Sequence, residues 1–231
     1  MEWMLLASAV MVFAALVQAC TGYGYSLIAV PLLFAISPSF VPVPVIIASL
    51  PLMAYVATKN RFALQGHPII FLLLGLALGA PLGALALLIV SPVALQLAIS
   101  LIVVAGVVVP FSHKQVNRVA QFIAGMLSNL FGTATGVGGP PIALLYQHQS
   151  SARIRAVLAT TFFFGSLMSL VSLSFTQQIT SDSLLHATAL LPGVLLGTWL
   201  GNRISKYIKQ RFARWWVVAL SMLSLIVMWV G

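Results

Sequence analysis

The chain has 231 residues, 61% of them hydrophobic and only 6% charged, with a mean hydropathy of +1.11. Ordinary globular domains carry about a quarter charged residues, so thirteen charges cannot cover a soluble fold of this size. Eleven Lys and Arg against Glu2 and Asp182 give a net charge of +9, but the cations cluster between apolar segments and read as topology signal, not as a nucleic-acid footprint.

The N-terminus opens Met1-Glu2-Trp3 without a cationic leader, so the first apolar segment is expected to stay in the protein. Crossing the hydrocarbon core takes about 20 apolar residues as a helix. Apolar segments follow at 4–19, 25–36, 44–57, 68–90, 93–109, 119–132, 140–147, 154–175, 184–201 and 215–230. The stretches 4–36 and 119–147 are each too long for one straight helix. Cys20-Thr21-Gly22-Tyr23-Gly24 interrupts the first, and ten small or polar residues from Gly132 to Pro141 interrupt the second. The lone Cys20 permits no internal disulfide and no cysteine-based metal cluster.

The distribution of cations decides how these interrupted stretches are threaded. If each crosses once, the eleven cations sort seven against four. If each goes in and returns, as a re-entrant or short-helix hairpin, Lys59, Arg61, Lys114, Arg118, Arg153, Arg155, Arg203, Lys206, Lys209, Arg211 and Arg214 all fall on one side. Glu2 and Asp182 fall on the other, with both termini outside. None of the cations then lies within an apolar span.

The two interruptions also align with each other. Thr21-Gly22-Tyr23-Gly24 leading to Ile28-Ala29 matches Thr135-Gly136-Val137-Gly138 leading to Ile142-Ala143, at an offset of 114 residues. Gly75, Gly79 and Gly83 match Gly193, Gly197 and Gly201 at an offset of 118. The chain therefore divides into halves at 1–112 and 113–231, each a hairpin plus three transmembrane helices. An odd number of crossings turns the second half over, so the expected fold is an all-α integral membrane protein of two inverted-topology repeats. Inverted repeats with broken helices are the plan of secondary transporters, with the binding site near the midplane. The six later glycines themselves are expected to serve helix packing.

Irregular backbone within hydrocarbon survives only where it lines a cavity or is buried in protein. Pro140 and Pro141 suit the first turn of a short helix, whose start, like that of the helix after Gly24, would turn amide donors and a positive dipole end inward. That favours a small anion held without a buried cation. Candidate binding residues are Gln18, Thr21, Gly22, Tyr23, Gly24, Tyr25 and Ser26 from the first half. The second half offers Ser128, Asn129, Thr133, Thr135, Gly136, Gly138 and Gly139. The amides of Gly22, Gly24, Gly138 and Gly139 and the hydroxyls of Thr21 and Thr135 are the expected grip; the alternative is that Ser and Thr bond back to their own helices. A bulky residue at Gly138 or Gly139 is expected to abolish flux while leaving the protein folded.

No Asp or Glu lies within a span, no phosphate-loop ending follows the glycines, and no hydrolase motif is present. Neither enzymatic activity nor a cofactor is expected. His67, His113, His148 and His186 sit at segment ends, where a solvated loop role outweighs a proton relay. Trp215 and Trp216, with Trp3 and Trp229 at the other face, read as interface anchors.

The pattern resembles the sulfite exporter (TauE/SafE) family of bacterial membrane anion permeases. The residues that carry it are Thr21-Gly22-Tyr23-Gly24 running into Val30-Pro31-Leu32-Leu33, and Thr135-Gly136-Val137-Gly138-Gly139-Pro140 running into Ile142-Ala143-Leu144-Leu145. The likeness spans both halves; the first signature departs from it by placing Tyr23 and Tyr25 among the glycines. The resemblance implies export of sulfite or of organosulfonates such as sulfoacetate across the bacterial inner membrane, by alternating access between the hairpin tips. The expected partners are that anion and the lipid bilayer, with a homodimer left open and no nucleic acid. An anion channel on the same scaffold, or a non-transporting membrane assembly protein, is the rival reading.

Overall fold

The computed structural model describes residues 2–65, 68–108, 116–205 and 210–230. His67, His113, Lys114, Lys206 and Lys209 lie outside the described residues, as do the side chains of Arg211, Arg214 and Trp215. The described chain is a bundle of ten α-helices. They are α1 (Glu2–Thr21), α2 (Tyr25–Ile36), α3 (Val43–Asn60), α4 (Ile70–Ile89), α5 (Pro92–Val108), α6 (Arg118–Thr135), α7 (Gly139–Tyr146), α8 (Ser151–Phe175), α9 (Ser181–Ile204) and α10 (Gln210–Val230).

Local chemistry sets these boundaries. The Asn117 side chain accepts from the Ala120 amide at 2.8 Å to open α6, and the Ser150 hydroxyl accepts from the Arg153 amide to open α8. Thr180 and Ser183 close a reciprocal capping box at the start of α9. Left-handed glycines stop the helices before each break: Gly22 (φ 89°) after α1 and Gly136 (φ 78°) after α6. The interruptions are narrower than the sequence suggests. Only 22–24 and 136–138 are non-helical, because Gly132, Thr133 and Thr135 continue α6 through its last turn.

The closest packing is between α1 and α9 and between α4 and α6, with α3 against α8 at the centre. Glycine makes the first two contacts. A Cβ on Gly75, Gly79 or Gly83 would strike the carbonyl of Phe122, Met126 or Leu130, and one on Gly193 or Gly197 that of Ser8 or Val12. Backbones this close leave no room for a side chain. Gly79→Ala and Gly197→Ala are therefore expected to cost about 1–3 kcal/mol each through overpacking. Thermal unfolding in detergent measures this, and an unshifted transition would show that these helices separate freely.

The exterior is apolar, as Leu74, Leu78 and Leu82 of α4 and Leu195, Leu196 and Trp199 of α9 are all exposed. Glu2–Thr21, Val43–Leu64, Ile70–Ile89, Ala152–Phe175 and Ser181–Ile204 are each long and apolar enough to cross a membrane. The described cations gather at one end of the bundle. There Lys59 Nζ donates to Asn202 Oδ1 at 3.2 Å, Arg118 lies over the Phe71 ring, and Arg155 reaches the last turn of α1.

Candidate functional site

Both helix breaks border one cavity of about 110 Å³. Tyr23 and Gly24 form its wall from the first break, Gly136 and Gly138 from the second. The opening residues of both short helices join them, Tyr25 and Ser26 from α2 and Gly139 and Pro140 from α7. Along α8 the wall runs from Leu158 to Ser169, about 16 Å at 1.5 Å rise per residue. A volume of this order holds several waters, and so a small oxyanion.

Each break is held by a repeated device. Thr21 Oγ1 donates to the Val17 carbonyl at 2.8 Å and accepts from the Tyr23 amide at 3.3 Å. Thr135 Oγ1 donates to the Phe131 carbonyl at 2.8 Å and accepts from the Val137 amide at 3.1 Å. The two threonines thus close the turns and do not line the cavity, which corrects the expectation that their hydroxyls grip an anion. Gly22 is likewise absent from the wall, because its amide completes α1 by donating to the Gln18 carbonyl at 2.7 Å. Thr133 is fully buried behind the wall, 2.6 Å from the Ser169 hydroxyl.

The other candidates, Gln18, Tyr23, Gly24, Tyr25, Ser26, Asn129, Gly136, Gly138 and Gly139, all line the cavity. Gln18 bridges the first break, its Nε2 donating to the Gly22 carbonyl at 3.2 Å and its Oε1 accepting from the Tyr25 amide at 3.1 Å. Ser128 does the corresponding work in the second break by donating to the Gly138 carbonyl. Asn129 Nδ2 donates to the Leu76 carbonyl at 2.9 Å while its Oδ1 accepts from Ser169 at 3.1 Å.

Four wall hydroxyls escaped the sequence reading: Ser49 on α3, and Thr161, Ser166 and Ser169 on α8. The signal was a stripe of small and hydroxyl residues at 161, 165, 166 and 169, which one face of a helix brings together. Ser49 and Thr161 donate to carbonyls of their own helices.

The backbone donors are unequal. The first turn of a helix leaves its amides unpaired, and neither α2 nor α7 has a side-chain cap from its N-cap glycine. In α2 Gln18 takes the Tyr25 amide, leaving those of Ser26 and Leu27 at the cavity. In α7 Pro140 and Pro141 have no amide hydrogen, so only Gly139 contributes among its first three residues. The expected symmetric pair of donor sets is thus a stronger one from α2 and a weaker one from α7.

Residues 7–228 match the sulfite exporter TauE/SafE family. The chain belongs to that family. None of the curated proteins or solved structures compared with it matches. TauE/SafE proteins are membrane transporters, and this member is a multi-pass membrane protein with an uncharged cavity between two broken helices. Lys59, Arg61, Arg153, Arg155 and Arg203 lie within the helices long and apolar enough to cross, against the expectation that no cation does; Arg153 joins them because the Ser150 cap starts α8 before the first strongly apolar residue, Ile154.

Proposed function

We propose that the protein is a secondary transporter, acting as an exporter, of small oxyanions: sulfite, or organosulfonates such as sulfoacetate. The observation that carries the reading is the cavity bordered by both breaks, whose largely apolar wall is interrupted by hydroxyls and helix-start backbone and holds no charged side chain among the described residues. Amides at a helix start favour an anion without a fixed counter-charge, so the ligand can be released to either side. The choice of sulfur oxyanions rests on the family.

In this reading the halves 1–112 and 113–231 are inverted repeats in the bacterial inner membrane, with periplasmic termini and alternating access around the cavity. The exchange of packing partners supports it: α1 on α9 and α3 on α9 correspond to α6 on α4 and α8 on α4. At 12 and 8 residues, α2 and α7 are about 18 and 12 Å long, too short to cross a core of roughly 30 Å. Each then returns toward the side from which the preceding helix came. The cations gathered at one end favour a cytoplasmic side for that end by the positive-inside rule.

Proteoliposomes are expected to take up radiolabelled sulfite saturably and to show counterflow when preloaded. Sulfite should also raise the melting temperature of the detergent-purified protein by mass action. Flux that never saturates would favour a channel. Neither uptake nor stabilisation with sulfite, thiosulfate or sulfoacetate would leave a packing or assembly role.

A further inference from the structure

We propose that Arg155 is the positioning residue that receives the oxyanion at the basic end of the cavity. Its Nε and Nη2 would exchange the Cys20 carbonyl for two oxygens of the ligand. The inference rests on the transport reading above. Arg155 is half-buried in the second turn of α8, and Leu158, three residues on, is already cavity wall. Its Nη2 donates to the Cys20 carbonyl, in the last turn of α1, at 3.3 Å. Its Nε is buried with no partner.

Those two nitrogens form the edge of a guanidinium that grips an oxyanion with two parallel hydrogen bonds. Here one is held by a long bond to a neutral carbonyl, and the other by nothing. A helix cap alone would need only the first. A buried, charge-bearing donor left unmet calls for an explanation beyond capping.

The first break is shaped around this side chain. A Cβ on Gly22 would collide with Arg155 Cγ and lie 2.9 Å from Nε, so the arginine stem occupies the space the glycine leaves. The residues that follow, Tyr23 and Gly24, are cavity wall. The guanidinium thus stands at the threshold on both of its sides, α8 and the break. Arg153 also leaves its Nε unmet, but its Nη1 is held by Gln149 at 2.9 Å, which makes it the control.

In proteoliposomes, Arg155→Gln is expected to raise KM for sulfite supplied at the basic face about tenfold or more, with kcat within about threefold. Arg155→Lys, which keeps the charge without the fork, should fall between, and Arg153→Gln should match wild type. A folded Arg155→Gln protein with unchanged KM, or a fall in kcat alone, would overturn the proposal in favour of a simple cap on α1. Should the glutamine variant fail to fold, the lysine variant decides by the same split. Thermal stabilisation by sulfite separates the two readings. If wild type is stabilised, Arg155→Gln is not, and wild type still transports nothing, the transporter reading fails while this one stands. Stabilisation undiminished in Arg155→Gln sinks this one.

Discussion

Gly139→Leu is expected to lower sulfite flux at least about 100-fold, equivalent to roughly 2.8 kcal/mol of lost binding, while leaving the protein folded. The position combines two properties. Gly139 lines the cavity at the first residue of α7, and a Cβ built there meets only Phe162 Cζ, at 3.5 Å, an ordinary contact. A leucine side chain therefore has room to leave the backbone and must continue into the space an anion would use. Replacing glycine removes freedom from the unfolded chain, worth about 0.4–1 kcal/mol in favour of the native state, but residue 139 is helical and precedes Pro140, where a Cβ is disfavoured, so the two effects oppose each other. Gly138 cannot serve the same purpose, which corrects the expectation that the two are equivalent. A Cβ at Gly138 would lie 2.5 Å from the Ser128 carbonyl and 3.1 Å from Gly132 Cα, so a large residue there forces the break apart. Uptake assays paired with melting curves check the difference; normal flux through a well-folded Gly139→Leu protein would remove the cavity from the transport path.

Gln18→Leu is expected to do the reverse and damage the fold first. Gln18 is buried, and its amide meets the Gly22 carbonyl and the Tyr25 amide across the break. Leucine keeps the approximate volume and leaves both backbone groups unmet. At about 1–3 kcal/mol for each buried group without a partner, the loss is roughly 2–6 kcal/mol. For a chain of this size that is a fall of at least about 4 °C in melting temperature. Gln18→Glu supplies the discriminating comparison. A carboxylate can still accept from Tyr25 but cannot donate to Gly22, and it places negative charge in the wall. Buried and set against the Gly22 carbonyl, that charge should destabilise at least as much as leucine and also weaken sulfite binding. A leucine variant that melts with wild type would mean that water already serves these groups.

The breaks themselves were legible in the sequence because glycine and proline interrupt an otherwise continuous apolar pattern, and the segment 25–36 coincides with α2. Periodicity could not say which way a hydroxyl points. Thr21 and Thr135 occupy the motif that draws attention to an anion, yet each spends its oxygen on the turn it sits in. Conversely, Ser166 and Thr161 sit in an apolar stretch whose hydropathy hides them, and only the crossing of α3 and α8 turns that face toward the cavity. Arg155 was hidden for a different reason: it sits one residue inside the edge of the segment 154–175, where beside Arg153 it reads as part of the basic loop, and only the packing of α8 against the end of α1 shows its place.

The glycine contacts carry a mechanical consequence. The tightest pairs, α1 with α9 and α4 with α6, each join a helix from one half of the chain to a helix from the other, backbone against backbone. Interlocked surfaces of that kind have no cushion of side chains on which to slide. Any rearrangement that admits a solute from alternate sides must then carry each pair as a composite strut, leaving the compliance to the remaining seams. The rigid units of the proposed transport cycle would then be not the two halves of the chain, but hybrids assembled from both.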